Sequence, residues 1–289
     1  MPRRIQAHPF FHPTTPELRY LPECPRVIGN SLFWVSIQYG ADQPRGGLNV
    51  LDLATGENRH HPLPGRPGFF AETAEAALLV IGLERRLVLY DLARAQIIET
   101  LATLPNDERV IINDGIAIPG GLIFGTKHLQ FSLPIAALYH YDNATRELRE
   151  LRGGQICSNG KFFHRDTLVD IDTQPKTITE YRYDGGLHPL RLIADPASLP
   201  ALPDGLRPGR GGTSIIVAYY NPEPVADGLA QEIRLSDGTV LTEWIFPGSP
   251  RVTCPEVAGD FVYFTTAVEG MPNPTPHAGT IFRAERGSS

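Results

Sequence analysis

The stretch "LFWVSI" (residues 32–37) is a run of aromatic and β-branched residues with the length of one buried β-strand. Segments of the same type recur along the chain: "LLVIGL" from residue 78, "LIFGTK" from 122, "TLVDID" from 167, "SIIVAY" from 214 and "VYFTTA" from 262. Successive starts are 44 to 48 residues apart. A period of this length, held over six units, is typical of a repeat architecture.

A second pattern keeps the same phase. The alternating segments "LNVLD", "LVLYD", "LYHYD" and "EYRYD" end at Asp52, Asp91, Asp142 and Asp184. Alternation predicts a half-buried strand, and Asp is favoured where a strand passes into a turn. Each unit therefore has room for about four short strands, the size of one propeller blade.

We predict an all-β protein, a six-bladed β-propeller of four-stranded blades that forms one domain over residues 1–289. The N-terminal arm, residues 1–21, is expected to pair with the last blade, through "ELRYL" (17–21) or the residues just before it. A pair of β-sandwiches is the alternative. It would not explain why a single phase holds from Leu32 to Ala267.

Composition excludes several classes of function. The net charge is −6 and there is no basic block, so nothing indicates a nucleic-acid partner. No apolar run approaches the roughly 18–20 residues of a membrane span, and the N-terminus has no apolar signal segment. The three widely spaced cysteines favour a reduced, cytoplasmic protein over a disulfide scaffold. We expect a monomer.

The segment "RVIINDGIAI" (109–118) has two interpretations. An Asp-Gly pair between apolar runs is a strong hairpin signal. However, similar triplets occur eight to ten residues before the repeated strand in four units: "PEC", "NDG", "SNG" and "PDG", containing Glu23, Asn113, Asn159 and Asp204. That place is the start of the innermost strand, which faces the central channel of a propeller. We therefore expect the triplet both to turn the chain and to present Asn113 to the channel.

Polar side chains gathered in a buried channel need a partner, because an unpaired buried charge is costly. Carboxylates and carboxamides are hard oxygen ligands, which suit Ca²⁺ and also Mg²⁺ or Mn²⁺. Zn²⁺ also accepts carboxylates, so the residues leave the identity of the metal open.

In order and phase, these motifs resemble the family of gluconolactonase, senescence marker protein (regucalcin) and luciferin-regenerating enzyme. The resemblance covers nearly the whole chain and implies a six-bladed propeller with one divalent metal in its channel. The matching segments are Glu23-Cys24-Pro25 with 33–37, 111–115 with Gly125-Thr126, Ser158-Asn159-Gly160, and Pro203-Asp204-Gly205.

The resemblance implies that Glu23, Asn159 and Asp204 bind the metal and that Asp204 is the general base. Asn113 would orient the substrate or donate its amide N–H to the oxyanion. His128 could contact the substrate, with a surface or hydrogen-bonded histidine as the alternative.

Two positions depart from the family pattern. Ile111 stands where the family has a substrate-binding arginine, so Ile111 indicates a less polar contact to the substrate. Cys24 replaces the glycine that follows the ligand glutamate.

The resulting hypothesis is a metal-dependent carboxylic-ester hydrolase that opens a small-molecule lactone, as a sugar lactonase does. The metal would polarise the carbonyl while Asp204 activates water. The alternatives are a non-catalytic propeller that binds calcium or a small ligand, and a hydrolase of a less polar lactone or a phosphotriester.

Overall fold

The computed structural model describes residues 1–105 and 107–287. These residues form six sheets, antiparallel except for one parallel strand pair, which confirms the predicted all-β, six-bladed propeller class. The chain divides into two compact units of three sheets each. One unit comprises Met1–Arg66 and the chain from Ile193 onward, and the other is Pro67–Leu192. Among the described residues, no helix has the length and apolar character required to cross a membrane.

The first unit opens with β1 (Arg3–Gln6), β2 (His8–Phe11) and a short 3-10 helix (Glu17–Arg19). Its first sheet then follows as β3 (Pro22–Ile28), β4 (Ser31–Ser36), β5 (Gly47–Asp52) and β6 (Asn58–Pro62).

The second unit contains three consecutive four-stranded sheets. The first is β7 (Pro67–Glu72), β8 (Leu78–Leu83), β9 (Arg86–Asp91) and β10 (Gln96–Thr103). The next is β11 (Val110–Ile118), β12 (Gly121–His128), β13 (Ala136–Asp142) and β14 (Leu148–Gln155). The last is β15 (Ser158–His164), β16 (Thr167–Asp172), β17 (Thr177–Tyr183) and β18 (Leu187–Leu192).

The chain then completes the first unit with two more sheets and two 3-10 helices (Pro196–Ser198 and Arg210–Gly212). The fifth sheet of the chain contains β19 (Leu202–Pro208), β20 (Ser214–Tyr220), β21 (Gly228–Arg234) and β22 (Val240–Phe246). The sixth contains β23 (Val252–Ala258), β24 (Phe261–Thr266) and β25 (Ile281–Glu285).

All six repeated segments of the sequence are the second strand of their sheet, β4, β8, β12, β16, β20 and β24. The acidic residues of the second pattern close the turn to the fourth strand. Asp52 Oδ1 accepts hydrogen bonds from the backbone N–H groups of Ala54 and Thr55, at 2.8 and 2.9 Å. Asp142 Oδ1 likewise accepts from the backbone N–H groups of Ala144 and Thr145, both at 2.8 Å.

The N-terminal segment completes two sheets. Strand β2 pairs antiparallel with β25 and supplies the outer strand of the sixth sheet. Strand β1 pairs in parallel with β22, so the fifth sheet has five strands where four were predicted. Residues 17–19 of "ELRYL" form a 3-10 helix, and the strand that pairs with the last sheet precedes them.

Aromatic residues fill the core between the fifth and sixth sheets. The Phe264 ring lies 4.8 Å from that of Phe246 and 5.7 Å from that of Trp244, measured between centroids. All three side chains are fully buried. Burial of large aromatic rings in contact with one another is a major source of stability in such a core.

We expect Phe264→Ala to lower the free energy of unfolding by about 3–5 kcal/mol, because it opens a cavity in this core. Urea unfolding of the variant measures the change. Phe261→Ala is the matched control on the same strand: its side chain is 38% exposed and stacks on Arg283. The control should lower the free energy of unfolding by less than about 1 kcal/mol. An equal loss for both variants would contradict the role of Phe264 in the core.

Candidate functional site

The first strand of every sheet contains a β-bulge close to its start. The pairing with the second strand skips at Glu23/Arg26, Pro67/Phe69, Ile112/Gly115, Ser158/Lys161, Pro203/Leu206 and Val252/Cys254. A bulge interrupts the alternation of a strand and redirects the side chains that it carries. All the candidate metal and catalytic residues lie at or next to these bulges.

The predicted turn at "NDG" is wrong. Residues 110–118 form the single strand β11, in which Asn113 and Asp114 lie opposite Gly125 as a bulge. Gly115 serves packing and not a turn, because a Cβ there would lie 2.7 Å from ring carbons of Phe69. Asn and Gly suit both a turn and a bulge, so their presence alone did not distinguish the two.

Three of the candidate residues occupy the same register, and the fourth does not. Asn113, Asn159 and Asp204 are each the first unpaired residue of their bulge. Glu23 is still paired, with Val35, and the first unpaired residue of its sheet is Cys24. The equivalence of Glu23 with the others, expected from spacing, is therefore off by one residue.

The backbone at Cys24 explains this shift. Cys24 has φ of 49°, in the left-handed region that favours glycine. Its N–H donates to Oε2 of Glu23 at 3.3 Å. Both side chains are buried. The left-handed residue reorients the chain directly after Glu23, which gives a physical reason for the glycine that the family pattern has at this position.

In the second unit, two amide side chains are anchored through their nitrogen atoms. Asn113 Nδ2 donates to the carbonyl oxygen of Ser158 at 2.9 Å, and Asn159 Nδ2 donates to Thr173 Oγ1 at 3.1 Å. Both Nδ2 atoms also lie near Cys157 Sγ, at 3.7 and 3.9 Å. Within the described chain, neither Oδ1 atom accepts a hydrogen bond, so both oxygens remain acceptors for a ligand.

Asp114, beside Asn113, has one satisfied oxygen. Its Oδ1 accepts from the N–H of Gly115 at 2.7 Å, while its buried Oδ2 has no hydrogen-bond partner among the described residues. The whole side chain is buried. A buried carboxylate oxygen without a donor is costly, so it marks this bulge as a place suited to a bound group.

In the first unit, Asp204 lies on the β19 bulge and is buried. Burial and the nearby Glu269 carboxylate raise the pKa of the Tyr220 phenol, and the charge of Asp204 adds to this effect. Tyr220 therefore stays protonated, and its hydroxyl donates to Glu269 Oε2 at 3.2 Å.

Ile111 and His128, two of the three predicted substrate contacts, lie on the neighbouring strands β11 and β12. Ile111 is buried on β11, opposite Lys127. His128 ends β12, also buried, and its Nδ1 accepts from the backbone N–H groups of Ser132 and Leu133 at 3.2 Å each. Through these two hydrogen bonds, His128 holds the loop that follows it. Contact of either side chain with a substrate stays a prediction.

A buried ion pair beside Asn159 was missed from the sequence. Lys161 Nζ lies 3.2 Å from Asp170 Oδ1, and both side chains are enclosed. Burial raises the pKa of Asp170, opposed by the charge of Lys161. The available signal was a lysine, one of three in 289 residues, inside a strand segment. Among the described residues, no three His, Cys, Asp or Glu side chains are grouped to hold a metal ion, so a metal site here requires amide or backbone oxygens as well.

The six sheets define a six-bladed propeller. Three of its blades carry an amide or a carboxylate side chain at the same position of the bulge in the first strand. Residues 21–268 match the model of the SMP-30/Gluconolactonase/LRE-like region. The chain therefore belongs to this family, which confirms the predicted resemblance.

Three individual relatives share little sequence identity with this chain, between 17% and 26%. An L-arabinolactonase from Azospirillum brasilense is 26% identical over 274 residues, which cover 88% of this chain and 84% of the relative. Regucalcin from Agrobacterium tumefaciens, a calcium-binding protein, superposes with a TM-score of 0.82 at 21% identity, over 100% of this chain and 98% of that one. A gluconolactonase from Xanthomonas campestris gives 0.71 at 17% identity, over 97% and 94%. The two structural likenesses support the fold.

Gly125 on β12 tests how tightly the second unit packs around these bulges. A Cβ there would lie 2.0 Å from Ser158 Oγ and 2.9 Å from Lys161 Nζ. We expect Gly125→Ala to lower the free energy of unfolding by about 1–3 kcal/mol through overpacking, measured by urea denaturation. Gly186→Ala, whose added Cβ would meet no atom closer than 3.7 Å, is the control. Its stability should be unchanged or slightly raised; a loss equal to that of Gly125→Ala would refute the packing argument.

Proposed function

We propose that the protein is a metal-dependent hydrolase that opens a small-molecule lactone. The observation that carries the proposal is the matching register of Asn113, Asn159 and Asp204, each the first residue of a bulge. Membership of the SMP-30/gluconolactonase/LRE-like family and the similarity to an L-arabinolactonase support the reaction class.

We propose Glu23, Asn159 and Asp204 as ligands of one divalent metal. The donor set is two carboxylates and an amide oxygen, which suits Ca²⁺ best and also Mn²⁺, Mg²⁺ or Zn²⁺. The anchored nitrogen of Asn159 fits this role because it leaves Oδ1 for coordination. The calcium-binding regucalcin of similar fold is consistent with Ca²⁺. When bound, such a metal acts as a Lewis acid towards a carbonyl oxygen.

Asp204 is proposed as the general base. One of its carboxylate oxygens would bind the metal, and the other would accept the proton of the attacking water. A positioned base of this kind contributes about 10²–10⁴-fold to the rate.

Asn113 would contact the substrate through its oxygen. Its Nδ2 is already committed to Ser158 O and Cys157 Sγ, so the role of oxyanion donor considered from the sequence is not favoured. The amide Oδ1 would instead accept a hydrogen bond from a substrate hydroxyl.

A less polar lactone is the second candidate substrate. Ile111 occupies the position of the family's arginine and is buried. The loop after His128 adds Phe131 and Leu133, whose side chains are about two-fifths exposed (40% and 39%). Apolar side chains at this end of β12 favour an alkyl substituent over a polyol.

Cys24, Cys157 and Cys254 are buried and form no disulfide bond, which supports the proposed cytoplasmic, reducing location.

The test is proton release from a panel of sugar and aliphatic lactones, with protein stripped by chelator and reloaded with Ca²⁺, Mn²⁺ or Zn²⁺. We expect activity to require the metal and Asp204→Asn to lower kcat at least about 100-fold, because the base is lost. Asp237→Asn, on an exposed turn of the same sheet, is the matched control and should keep full activity.

Two outcomes would contradict the proposal. Full turnover by Asp204→Asn would remove that residue from the chemistry. Metal binding without turnover on any lactone would favour a calcium-binding propeller. The preferred substrate itself decides between the sugar and the alkyl class.

A further inference from the structure

The ammonium of Lys161 is fully enclosed and makes three contacts. Nζ donates to the carbonyl oxygen of Asn159 at 2.6 Å, to Ser158 Oγ at 2.9 Å, and lies 3.2 Å from Asp170 Oδ1. An ammonium has three protons, and each one here has an acceptor. These three acceptors fix the direction of the Lys161 side chain.

Asp170 is fixed in turn by two further donors. Its Oδ1 accepts from Ser158 Oγ at 2.9 Å, and its Oδ2 accepts from Gln155 Nε2 at 2.6 Å. Burying two charges carries a large desolvation cost, so such a pair is weak evidence for added stability. The ion pair instead fixes the positions of the groups to which it is hydrogen-bonded.

Those groups belong to the bulge that carries Asn159. The peptide from Ser158 to Asn159 is held at three points: Asn113 Nδ2 donates to Ser158 O, Lys161 and Asp170 contact Ser158 Oγ, and Lys161 binds Asn159 O. Gly125 allows this close approach, since a Cβ there would collide with Ser158 Oγ.

No other bulge has an equivalent lysine. The residue that resumes pairing after the bulge is Lys161 in this sheet, and Arg26, Phe69, Gly115, Leu206 and Cys254 in the other five. The ammonium is therefore particular to the sheet that presents the amide ligand. A neutral amide is a weaker ligand than a carboxylate and depends more on accurate placement.

We propose that Lys161, paired with Asp170, is the positioning residue of the metal site: its ammonium fixes the Asn159 carbonyl and so directs the Asn159 amide oxygen, without touching the metal. This rests on the proposed function, in which Asn159 is a ligand. It predicts that the pair affects metal affinity through Asn159.

The experiment measures Ca²⁺ affinity by calorimetry on chelator-stripped protein, with circular dichroism to verify folding. The double variant Lys161→Met/Asp170→Asn removes both charges together, so that no unpaired charge remains buried. We expect its dissociation constant to rise at least about tenfold. The matched control, Arg191→Met/Glu180→Gln, removes an ion pair of 2.7 Å in the same sheet and should stay within twofold of the wild type.

A double-mutant cycle separates positioning from a general structural effect. In an Asn159→Ala background, titrated into the millimolar range, Lys161→Met/Asp170→Asn should weaken binding no further. Additive losses would overturn the proposal, and so would a double variant within twofold of the wild type. If the double variant does not fold, Ser158→Ala replaces it in the same cycle with the same criteria, since it removes one acceptor of the ammonium and leaves both charges in place.

Failure of the proposed function has a different signature. If the wild-type protein binds none of Ca²⁺, Mn²⁺ and Zn²⁺, the metal site itself is refuted and the positioning role falls with it. If the wild type binds Ca²⁺ and only the cycle fails, the metal site stands and Lys161 is structural.

Discussion

The bulge in the first strand of each sheet is the constraint on which the candidate site depends. In a regular strand, successive side chains point to opposite faces, so a polar triplet would divide between them. The bulge breaks this alternation at one place in each first strand. Asn113, Asn159 and Asp204 occupy that place, and regular pairing resumes two residues after each of them. The bulge therefore redirects one side chain while the rest of the strand keeps its regular hydrogen bonds.

Much of the fold could be predicted because it depends on periodic burial. The segments at Leu32, Leu78 and Leu122 are second strands because apolar, β-branched residues suit a strand covered on both faces. The acidic turns were equally visible, since an Asp that bonds the following N–H groups is a local preference. The additional strand β1 was not predicted, because its partner β22 is more than 200 residues away in sequence and no local pattern encodes that pairing.

The candidate site was predictable in outline but not in detail. Spacing alone placed Glu23 level with Asn113, whereas the pairing shows a shift of one residue caused by the left-handed Cys24. Backbone conformation of this kind is not readable from residue types when the left-handed residue is not a glycine. The ion pair of Lys161 and Asp170 was missed for a related reason. A lysine in an alternating strand is normally solvated, and only the tertiary structure shows that its three donors are satisfied inside.

The N-terminal strands have a consequence for biosynthesis. The second unit is continuous in the chain, so its three sheets are fully synthesised once residue 192 has been made. The first unit is not: β2 pairs with β25 and β1 with β22, so strands made early need partners that are made much later. Closing so long a loop carries a large entropic barrier, which delays the pairing towards the end of folding. Until β22 and β25 have been synthesised, two sheets lack their partner for an N-terminal strand, whereas the continuous unit already has all of its strands.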